Sequence, residues 1–506
     1  MSHYQVDVCV IGSGFAGSLI AMILAREGRT VALVERSNHP RFAIGESSTP
    51  LGNFKLRQIV KRYDLPRLEP LTQYGPWINR YPDLTRGPKR GFSYFWHRRD
   101  QAFQTSKSHD CELLVTANRS VESADLHWLR ADVDNFLVQE AIREGVLYFD
   151  NTSIIDTDAF DHTASIVEKS RTKLIGEREG NQLVIDTRFT VIASGNPKLW
   201  EKAIDVPSRA KMPRTNSRSL FAHFANVKKW EDVLIDNAIE THEHPFVCDQ
   251  SALHHVFDGG WMWQLRFDDE TTSAGFMLDG DKYPIDSKES TEQEWQRLLA
   301  TFPSIESQFK HAQAVRPETG LQRTGRLQNA LRQVAGERWA LLPAAVGYSD
   351  PLFSTGIAHA LFATDRLVVA LRDLNAPERL AKSIAKYAEG VEQEIDLIDR
   401  LVSLAYRSSH SFEHYVAATM PYFAAATSCE RAMMASPGDQ MPGFLLADDP
   451  KFLLAIDQIE RSQPSTEKAK SDRCFPDSVR NAIATFNQVG LFSPRHPRMY
   501  WHTAAE

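Results

Sequence analysis

Lys89 is the residue of this sequence whose surroundings most suggest chemistry. It follows Pro88 in the stretch LTRGPKRGFSYFWH at 84–97, between two glycines and just before an aromatic segment. A lysine ammonium donates hydrogen bonds, and burial lowers the pKa of a lysine until its neutral amine can react. The neighbouring Arg90 stays protonated and is assigned to solvent. Composition alone favours a solvent-exposed Lys89 in a polar loop, so the surrounding elements must decide.

A glycine-rich loop near the N-terminus predicts a dinucleotide site. A strand pattern at 5–11 is followed by GSGFAG, a helical pattern, and a second strand that ends at Glu35. Gly12 permits the tight turn, Gly14 lets the backbone approach a pyrophosphate, and Gly17 allows close packing of helix on strand. The helix N-terminus would bind phosphate and the terminal acid would bind ribose. The alternative is a glycine-rich turn without a ligand.

Two later segments favour a flavin over a nicotinamide. FTVIASG at 189–195 is a strand that ends in small residues, and a third strand at 338–363 turns through small residues into a helix. FAD-binding folds of the glutathione-reductase type assemble their nucleotide domain from separated segments of this kind. We therefore predict an α/β fold with a Rossmann-like FAD-binding domain of that type.

The remaining segments predict an antiparallel substrate-domain sheet and a mostly helical C-terminal region. Strand-like runs alternate with polar turns at 205–335, and helical patterns dominate beyond 365. The stretch at 461–473 resembles a flexible linker. The predicted parts are FAD-binding segments with the lysine-bearing insertion at 1–204, the substrate-domain sheet at 205–336, a segment completing the nucleotide domain at 337–372, and the helical region at 373–506.

Composition argues against several classes of partner. The net charge is -7 over 506 residues, which is unlike a nucleic-acid-binding protein. No apolar run reaches the ~18 residues of a spanning helix, and the N-terminus lacks the basic region of a signal peptide. The five cysteines are widely spaced without a CxxC pair, as in proteins of a reducing compartment. We predict a cytoplasmic protein with no nucleic-acid or membrane partner, and leave its oligomeric state open.

Five blocks, in order, resemble FAD-dependent halogenases, in particular the branch that acts on free phenols. They are GSGFAG, PRFAIGESSTP at 40–50, GPKRGFSYFWH at 87–97, HHVFDGGWMWQLRF at 254–267 and GYSDPLFSTGI at 347–357. The resemblance implies that chloride or bromide and O₂ react at reduced FAD (FADH2) to give hypohalous acid, which travels to a lysine beside an aromatic substrate. Lys89 matches that lysine. It could polarise the acid as an ammonium or form a haloamine as a neutral amine.

The resemblance also implies the other site residues. Thr355 and Gly356 match the halide-binding positions, where an anion needs backbone N–H donors and little side-chain bulk. GESSTP matches a strap over the flavin, although a capped helix starting at Pro50 explains it equally well. Asp132 and Asp134 are expected to be solvated helix charges. The implied cofactor-binding residues are Gly12, Gly14, Ala16, Gly17, Glu35, Ser47, Ser48, Arg130, Asp350, Gly356 and Ile357, and the implied substrate-pocket residues are Phe92, Trp261, Trp263 and Phe353.

Two departures from family patterns bear on the substrate and on the reaction. Phe353 stands where the tryptophan-halogenase branch has a glutamate that acts with the lysine, which favours a phenol, because a deprotonated hydroxyl activates its own ring. In WMWQLR, Leu265 and Arg266 replace the isoleucine and proline of the family motif WxWxIP, which is associated with halogenation over hydroxylation. An aromatic monooxygenase on the same fold is therefore an alternative. A flavin-binding protein without catalytic activity is another.

The family and the absence of a second nucleotide loop predict a two-component enzyme of secondary metabolism. No further GxGxxG-type block is present to bind a nicotinamide. We therefore expect a separate NAD(P)H-dependent flavin reductase to supply FADH2, and a small aromatic molecule to be the substrate.

The histidines suggest a metal site only weakly. HEH at 242–244 and the pair His254–His255 are the candidates. No acid or cysteine at a matching spacing accompanies them, so we predict no metal.

Overall fold

A computed structural model describes residues 2–157, 171–195, 213–328, 333–435, 442–464, 474–495 and 498–504. The predicted boundary at 204–205 and residues 465–473 of the predicted linker lie outside these ranges.

The helices are α1 (Phe15–Arg26), α2 (Pro50–Arg62), α3 (Tyr74–Arg80), α4 (Arg130–Arg143), α5 (Trp230–Asp236), α6 (Thr291–Ala300), α7 (Pro303–Phe309), α8 (Pro343–Val346), α9 (Thr355–Leu371), α10 (Pro377–Ser408), α11 (Phe412–Ala435), α12 (Pro450–Ser462) and α13 (Cys474–Ala482). The strands are β1 (Ser2–Ile11), β2 (Val31–Val34), β3 (Arg86–Lys89), β4 (Gly91–Trp96), β5 (Glu112–Thr116), β6 (Asp125–Trp128), β7 (Leu147–Phe149), β8 (Thr152–Thr157), β9 (Thr172–Arg178), β10 (Asn181–Ile192), β11 (Ser217–Ala225), β12 (Ala252–Phe257), β13 (Gly260–Arg266), β14 (Thr272–Asp279), β15 (Gln313–Arg316), β16 (Gln322–Arg323), β17 (Ala335–Gly336), β18 (Trp339–Leu341) and β19 (Met499–Tyr500).

The first sheet joins the three segments predicted to form the nucleotide domain. Its strand order is β17-β18-β10-β1-β2-β7. In addition, β9 pairs with both β10 and β8. β1 pairs in parallel with β10 and β2, and β10 pairs in parallel with β18. Val8 and Val10 on one face of β1 and Cys9 and Ile11 on the other are all buried, as in a parallel sheet covered on both faces. The predicted FAD-binding α/β architecture is confirmed.

The second sheet is larger than the sequence indicated and mixed in direction. Its order is β15-β11-β14-β13-β12-β4-β5-β19, with β16 beside β11. The central strands β11, β14, β13 and β12 are antiparallel neighbours, as predicted. β4 joins β12 in parallel and β19 joins β5 in parallel. Strands distant in sequence thus extend the substrate-domain sheet, because sequence periodicity defines a strand but not its partner.

A short antiparallel ribbon positions Lys89. β3 pairs with β6, so that Lys89 lies opposite Asp125. Gly87 of β3 is necessary, because a Cβ there would lie 1.9 Å from the carbonyl oxygen of Arg266. Only Arg90 separates β3 from β4 of the second sheet. Lys89 therefore lies at the junction between the ribbon and the sheet.

The C-terminal helices pack on the second sheet. Their shared hydrophobic core includes Tyr94 of β4 and Val256 of β12 together with Leu401, Met420 and Ile456 from α10, α11 and α12. Burying each such side chain stabilises the fold by ~1.5–3 kcal/mol. This packing brings the aromatic side chains of α11 to Phe92 of β4, the strand that follows Lys89.

Two composition-based predictions can be compared with the structure. Cys9, Cys111, Cys248 and Cys429 are buried free thiols, whereas Cys474 is exposed. Among the described helices, none combines the length and apolar character needed to cross a bilayer.

Candidate active site

The loop between β1 and α1 has the backbone that a pyrophosphate requires. Gly12 has a φ of 100°, which favours glycine, and a Cβ on Gly17 would lie 1.9 Å from the carbonyl oxygen of Gly12. A Cβ on Gly14 would meet its nearest neighbour, Arg130 Nη2, at 3.5 Å. Ala16 is the second residue of α1. The loop therefore has space beside Gly14 for a phosphate to approach the backbone, and it fits a dinucleotide.

Glu35 follows β2 and lies against this loop. Its Oε2 accepts hydrogen bonds from Ser13 N at 3.1 Å and Ser13 Oγ at 3.0 Å, and Arg41 Nη2 lies 3.2 Å away. Burial acts to raise the pKa of this carboxyl, but Arg41 and the neighbouring N–H groups outweigh it, and the net pKa is lowered. Glu35 is thus an ionised acceptor at the place where a ribose hydroxyl would bind.

Arg130 and Asp134 form a buried pair behind the glycine loop. Arg130 Nε donates to Asp134 Oδ1 at 2.9 Å, and Arg130 Nη1 donates to the Ile44 and Gly45 carbonyls at 3.0 and 3.2 Å. Asp134 Oδ1 also accepts from Phe15 N at 3.1 Å, in the first turn of α1. The expectation that Asp134 is a solvated charge is therefore wrong, because α4 turns this residue inward. Asp132 is half-buried instead.

Replacing Gly14 by alanine tests the cofactor loop. The contact distances show that the fold accepts the methyl group, whereas a pyrophosphate must approach the backbone there. Losing one hydrogen bond to a charged phosphate weakens FAD binding about tenfold. Flavin fluorescence titration measures this change. Gly325→Ala, at another glycine with open space around it, is the matched control and should leave FAD affinity unchanged.

The turn before α9 presents an open helix N-terminus. Asp350 Oδ1 accepts from Leu352 N at 3.1 Å, and Ser354 adopts a left-handed conformation with φ of 52° before the helix starts at Thr355. Gly356 is exposed, and a Cβ on it would meet nothing within 4 Å. The first N–H groups of a helix have no intrahelical acceptor, so those of Thr355 and Gly356 can bind an anion. The Ile357 side chain is buried in the core of the first sheet, which leaves only its backbone for a ligand.

The GESSTP strap connects this turn with the lysine ribbon. Ser354 Oγ donates to Ser47 Oγ at 3.1 Å, and Ser48 N donates to the Leu126 carbonyl of β6 at 2.9 Å. Thr49 caps α2 by accepting from Gly52 N at 3.3 Å, with Pro50 in the first turn. The predicted capped helix is confirmed. The same residues also run between the α9 N-terminus and the ribbon, where a strap is expected.

Lys89 is fully buried, at 0% exposure. Its Nζ donates to the Ser48 carbonyl at 2.6 Å and lies 4.0 Å from the centre of the Phe92 ring. Burial lowers the pKa of this lysine to about 7, while the negative charge of Asp125 raises it. The carbonyl, the ring face and the carboxylate all favour the ammonium form, which desolvation opposes. Lys89 therefore titrates close to neutral pH and does not face solvent.

Asp125 is the carboxylate that accompanies this lysine, and the sequence did not identify it. Asn53 Nδ2 donates to Asp125 Oδ1 at 2.6 Å, and Asn118 Nδ2 donates to Oδ2 at 3.0 Å. Burial raises the pKa of Asp125 to about 6, against the lowering effect of Lys89 and the two amides. The only sequence signal was the short alternating segment DLHW, which predicts a strand but not its pairing with β3.

Two histidines near Lys89 are held neutral. Burial lowers the pKa of both His127 and His254 to about 3, and the positive charge of Lys89 lowers each further. His254 Nδ1 lies 3.2 Å from the Ser93 carbonyl. Neither histidine therefore adds positive charge beside Lys89.

Aromatic side chains extend from Phe92, whose ring faces Lys89. The Phe353 ring stacks on Tyr422 of α11 with centroids 4.5 Å apart, and Tyr422 meets Phe92 edge-on at 6.0 Å. Phe423 meets Phe92 at 5.6 Å. The predicted pocket residues Phe92 and Phe353 thus belong to one group together with α11, whose contribution helical periodicity could not reveal.

The paired tryptophans lie on one face of β13, as predicted, with ring centroids 6.2 Å apart. Trp261 Nε1 donates to Tyr406 Oη at 3.1 Å, and Tyr406 Oη donates to Asp350 Oδ2 at 2.8 Å. Burial raises the pKa of Asp350 to about 6. Through Tyr406, Asp350 connects the turn before α9 to Trp261, while Trp263 Nε1 donates to Ser273 Oγ at 3.2 Å.

Arg90 and Arg266 are both held by the protein. Arg90 is half-buried and donates to the Asn118 carbonyl at 3.0 and 3.1 Å, so its assignment to solvent is wrong. Arg266, which replaces the family proline, donates from Nε to Asp249 Oδ1 at 2.7 Å. Since arginine retains its N–H, β13 continues to pair with β14 through this position.

Comparison with known proteins identifies the family. The model of the FAD dependent oxidoreductase family matches residues 7–366. The chain is 33% identical over 424 residues to monodechloroaminopyrrolnitrin halogenase PrnC of Pseudomonas fluorescens, covering 80% of this chain and 68% of that protein. The chain belongs to the flavin-dependent halogenases. It is 28% identical over 421 residues to tetracycline 7-halogenase of Kitasatospora aureofaciens, covering 81% of this chain and 70% of that protein.

Solved structures share the fold of this halogenase. Halogenase PltM, crystallised in complex with phloroglucinol and FAD, superimposes with a TM-score of 0.82 at 24% identity, covering 96% of this chain and 97% of that one. As a flavin-dependent halogenase, the protein is an oxidoreductase that uses FAD, with halide and O₂ as the other reactants. The glycine loop, Glu35 and the open α9 N-terminus fit that cofactor.

Proposed function

We propose that this halogenase transfers halogen to an electron-rich, phenolic small molecule through Lys89. The observation that carries the proposal is the burial of Lys89 beside Ser48, in a strap whose preceding residue Ser47 contacts the α9 N-terminus. A surface lysine would have no such connection to a nucleotide-binding fold. Reduced FAD, when bound, supplies hypohalous acid from halide and O₂. We further propose that a separate NAD(P)H-dependent reductase delivers FADH2 and that both act in the cytoplasm.

The ammonium form of Lys89 suits proton and halogen transfer together. One N–H bonds the Ser48 carbonyl, and the others are available to the oxygen of hypohalous acid. The ring carbon takes the halogen, the oxygen leaves as water with a proton from Lys89, and the lysine recovers a proton from the ring carbon. Overall, hypohalous acid and arene give haloarene and water. Asp125 acts as a positioning residue by favouring the charged lysine.

A phenolic substrate follows from the apolar side of the site. Phe353 stacks on Tyr422 and offers no carboxylate to stabilise a cationic ring intermediate. A phenol stabilises that intermediate with its own oxygen. The similarity in fold to a halogenase crystallised with phloroglucinol supports the same substrate class.

Gly356→Val tests the halide site. The open space around Gly356 accepts the side chain, but the added bulk would cover the N–H groups at the start of α9. Losing one hydrogen bond to an anion should raise the KM for bromide about tenfold. Steady-state assays at varied bromide measure it, and Gly356→Ala is the smaller control. An unchanged KM in the valine variant would place the halide elsewhere.

The proposed reaction is tested directly with a substrate panel. The enzyme is incubated with FAD, a flavin reductase, NADH, bromide and either phenols or their methyl ethers, and products are identified by mass spectrometry. Monobrominated phenols, with much slower turnover of the ethers, support the proposal. Hydroxylated products without bromination would instead indicate the monooxygenase alternative.

A further inference from the structure

We propose that His109, Glu112 and His244 form a second site, which binds a divalent transition metal and suits Zn²⁺ best. Glu112 is the first residue of β5, His109 lies three residues before it, and His244 lies in the loop between α5 and β12. One ligand atom from each residue lies within 4.8 Å of the others. The sequence did not pair His244 with Glu112, because the fold brings this carboxylate from a distant strand.

The geometry places the carboxylate between two imidazoles. His109 Nδ1 lies 2.8 Å from Glu112 Oε2, and His244 Nε2 lies 3.5 Å from Glu112 Oε1. Tetrahedral Zn²⁺ ligands at 2.0–2.2 Å from the ion are about 3.4 Å apart. The three side chains are therefore near coordinating positions, and two nitrogens with one carboxylate leave a fourth position for water, as in His₂Glu zinc sites.

Unpartnered buried atoms provide the second observation. Glu112 is 0% exposed and His244 is 8% exposed. Glu112 Oε1 and both ring nitrogens of His244 have no hydrogen-bond partner among the described residues. Burying a carboxylate oxygen and an imidazole without partners is unfavourable. An ion bound between Glu112 Oε1 and His244 Nε2 would satisfy both.

Glu243 supplies the outer contact typical of a metal-bound histidine. Its Oε2 lies 2.9 Å from His109 Nε2, and its side chain is 58% exposed. With Nδ1 on the metal, His109 would donate its Nε2 proton to Glu243 and so hold its ring in place. The backbone of His109 is fixed as well, because Arg498 Nη1 donates to its carbonyl at 2.9 Å. The competing arrangement is a protonated His109 between two carboxylates, in which His244 keeps only the 3.5 Å contact of its Nε2 with Glu112 Oε1.

Metal at this position would stabilise the strand that follows Lys89. The loop containing His244 continues to Gln250, whose carbonyl accepts from Arg90 N at 2.6 Å. Ser251 and Ser93 of β4 are joined through their hydroxyls at 2.7 Å. The ion would therefore tie the α5–β12 loop to β5, next to the lysine ribbon, without touching the reacting groups.

Zn²⁺ titration of the full-length protein tests the site. After dialysis against EDTA, we expect one Zn²⁺ per chain by calorimetry, and a rise in Tm of about 2–4 °C at ~100-fold excess over Kd. Glu112→Gln and His244→Gln should each weaken binding at least about 100-fold. His242→Gln, in the same loop but exposed, is the matched control and should bind as the wild type. Absent binding, or binding equal in all four proteins, would overturn the proposal.

A measurement on the wild type covers the case in which the variants fold poorly. Crystals grown with Zn²⁺ and measured on both sides of the zinc absorption edge should give an anomalous peak between His109 Nδ1, Glu112 and His244 Nε2. Peaks only elsewhere, or none, would show that the cluster is an ion-pair network without metal.

Discussion

Lys89→Ala should lower the rate of halogenated product by about 10³-fold, within the range for a lost proton-transfer group. Alanine has neither the N–H donors nor the basic site that the reaction requires. FAD binding should change less than about twofold, since the glycine loop and Glu35 do not contact Lys89. Oxidation of FADH2 should continue and release peroxide. Product by mass spectrometry and peroxide by a coupled assay measure the two effects.

The control for Lys89→Ala is Arg90→Ala, the adjacent half-buried cation that binds backbone carbonyls. A thiol scavenger is included, so that hypohalous acid escaping into solution does not halogenate the phenol. Arg90→Ala should keep most of the activity. Retention of more than about a tenth of the wild-type rate in Lys89→Ala would remove the lysine from the mechanism, because even modest general acid catalysis contributes about 10²-fold.

Asp125→Asn should move the pH dependence of halogenation to lower pH. The Lys89 pKa is about 7, and the Asp125 charge raises it against desolvation. Removing an opposite charge at close range lowers a lysine pKa by about 1–3. The active ammonium is then lost at lower pH, so the high-pH limb of the profile shifts down. At pH 8 the variant should be about 10–1,000-fold slower than the wild type, and the two rates should approach each other only below the lowered lysine pKa.

The ratio of variant to wild-type rate is the informative quantity for Asp125→Asn. Ionisation of the phenol affects both enzymes equally and cancels in that ratio. Far-ultraviolet circular dichroism and FAD affinity verify the fold, since Asn53 and Asn118 lose an anionic acceptor. A ratio that does not change with pH would show that Asp125 is only structural. A variant that gains relative activity above pH 7 would instead indicate the neutral-amine route.

Local parts of this fold could be predicted because their signals are short-range. The turn at Gly12 and the acid at Glu35 are specified within one βαβ unit, and the structure places them directly after the carboxyl ends of β1 and β2. The parallel pairing of β4 with β12 could not be predicted, because alternation of apolar residues is the same for every possible partner. For the same reason, β19 was not recognised as a strand of the second sheet.

The candidate site shows the same division. Lys89 was found through the residues around it, whereas Asp125 becomes its neighbour only through pairing of β3 with β6. Tyr422 comes from α11, where aromatic residues at helical spacing indicate a core face and nothing more. Asp134 was assigned to solvent because a single acid in a helix is usually exposed, yet it binds Arg130. Long-range pairing, not residue type, decided each of these cases.

Halogen delivery by Lys89 is tested most directly by a crystal structure of the protein with FAD, bromide and a phenol, measured at the bromine absorption edge. We predict an anomalous peak at the N–H groups of Thr355 and Gly356. We also predict that the phenol lies beside Phe92 and Phe353. Lys89 Nζ should then lie within hydrogen-bonding distance of a solvent or halogen-bearing oxygen at the edge of the phenol ring. A phenol bound far from Lys89, with the ammonium still enclosed by Ser48 and Phe92, would contradict this mechanism.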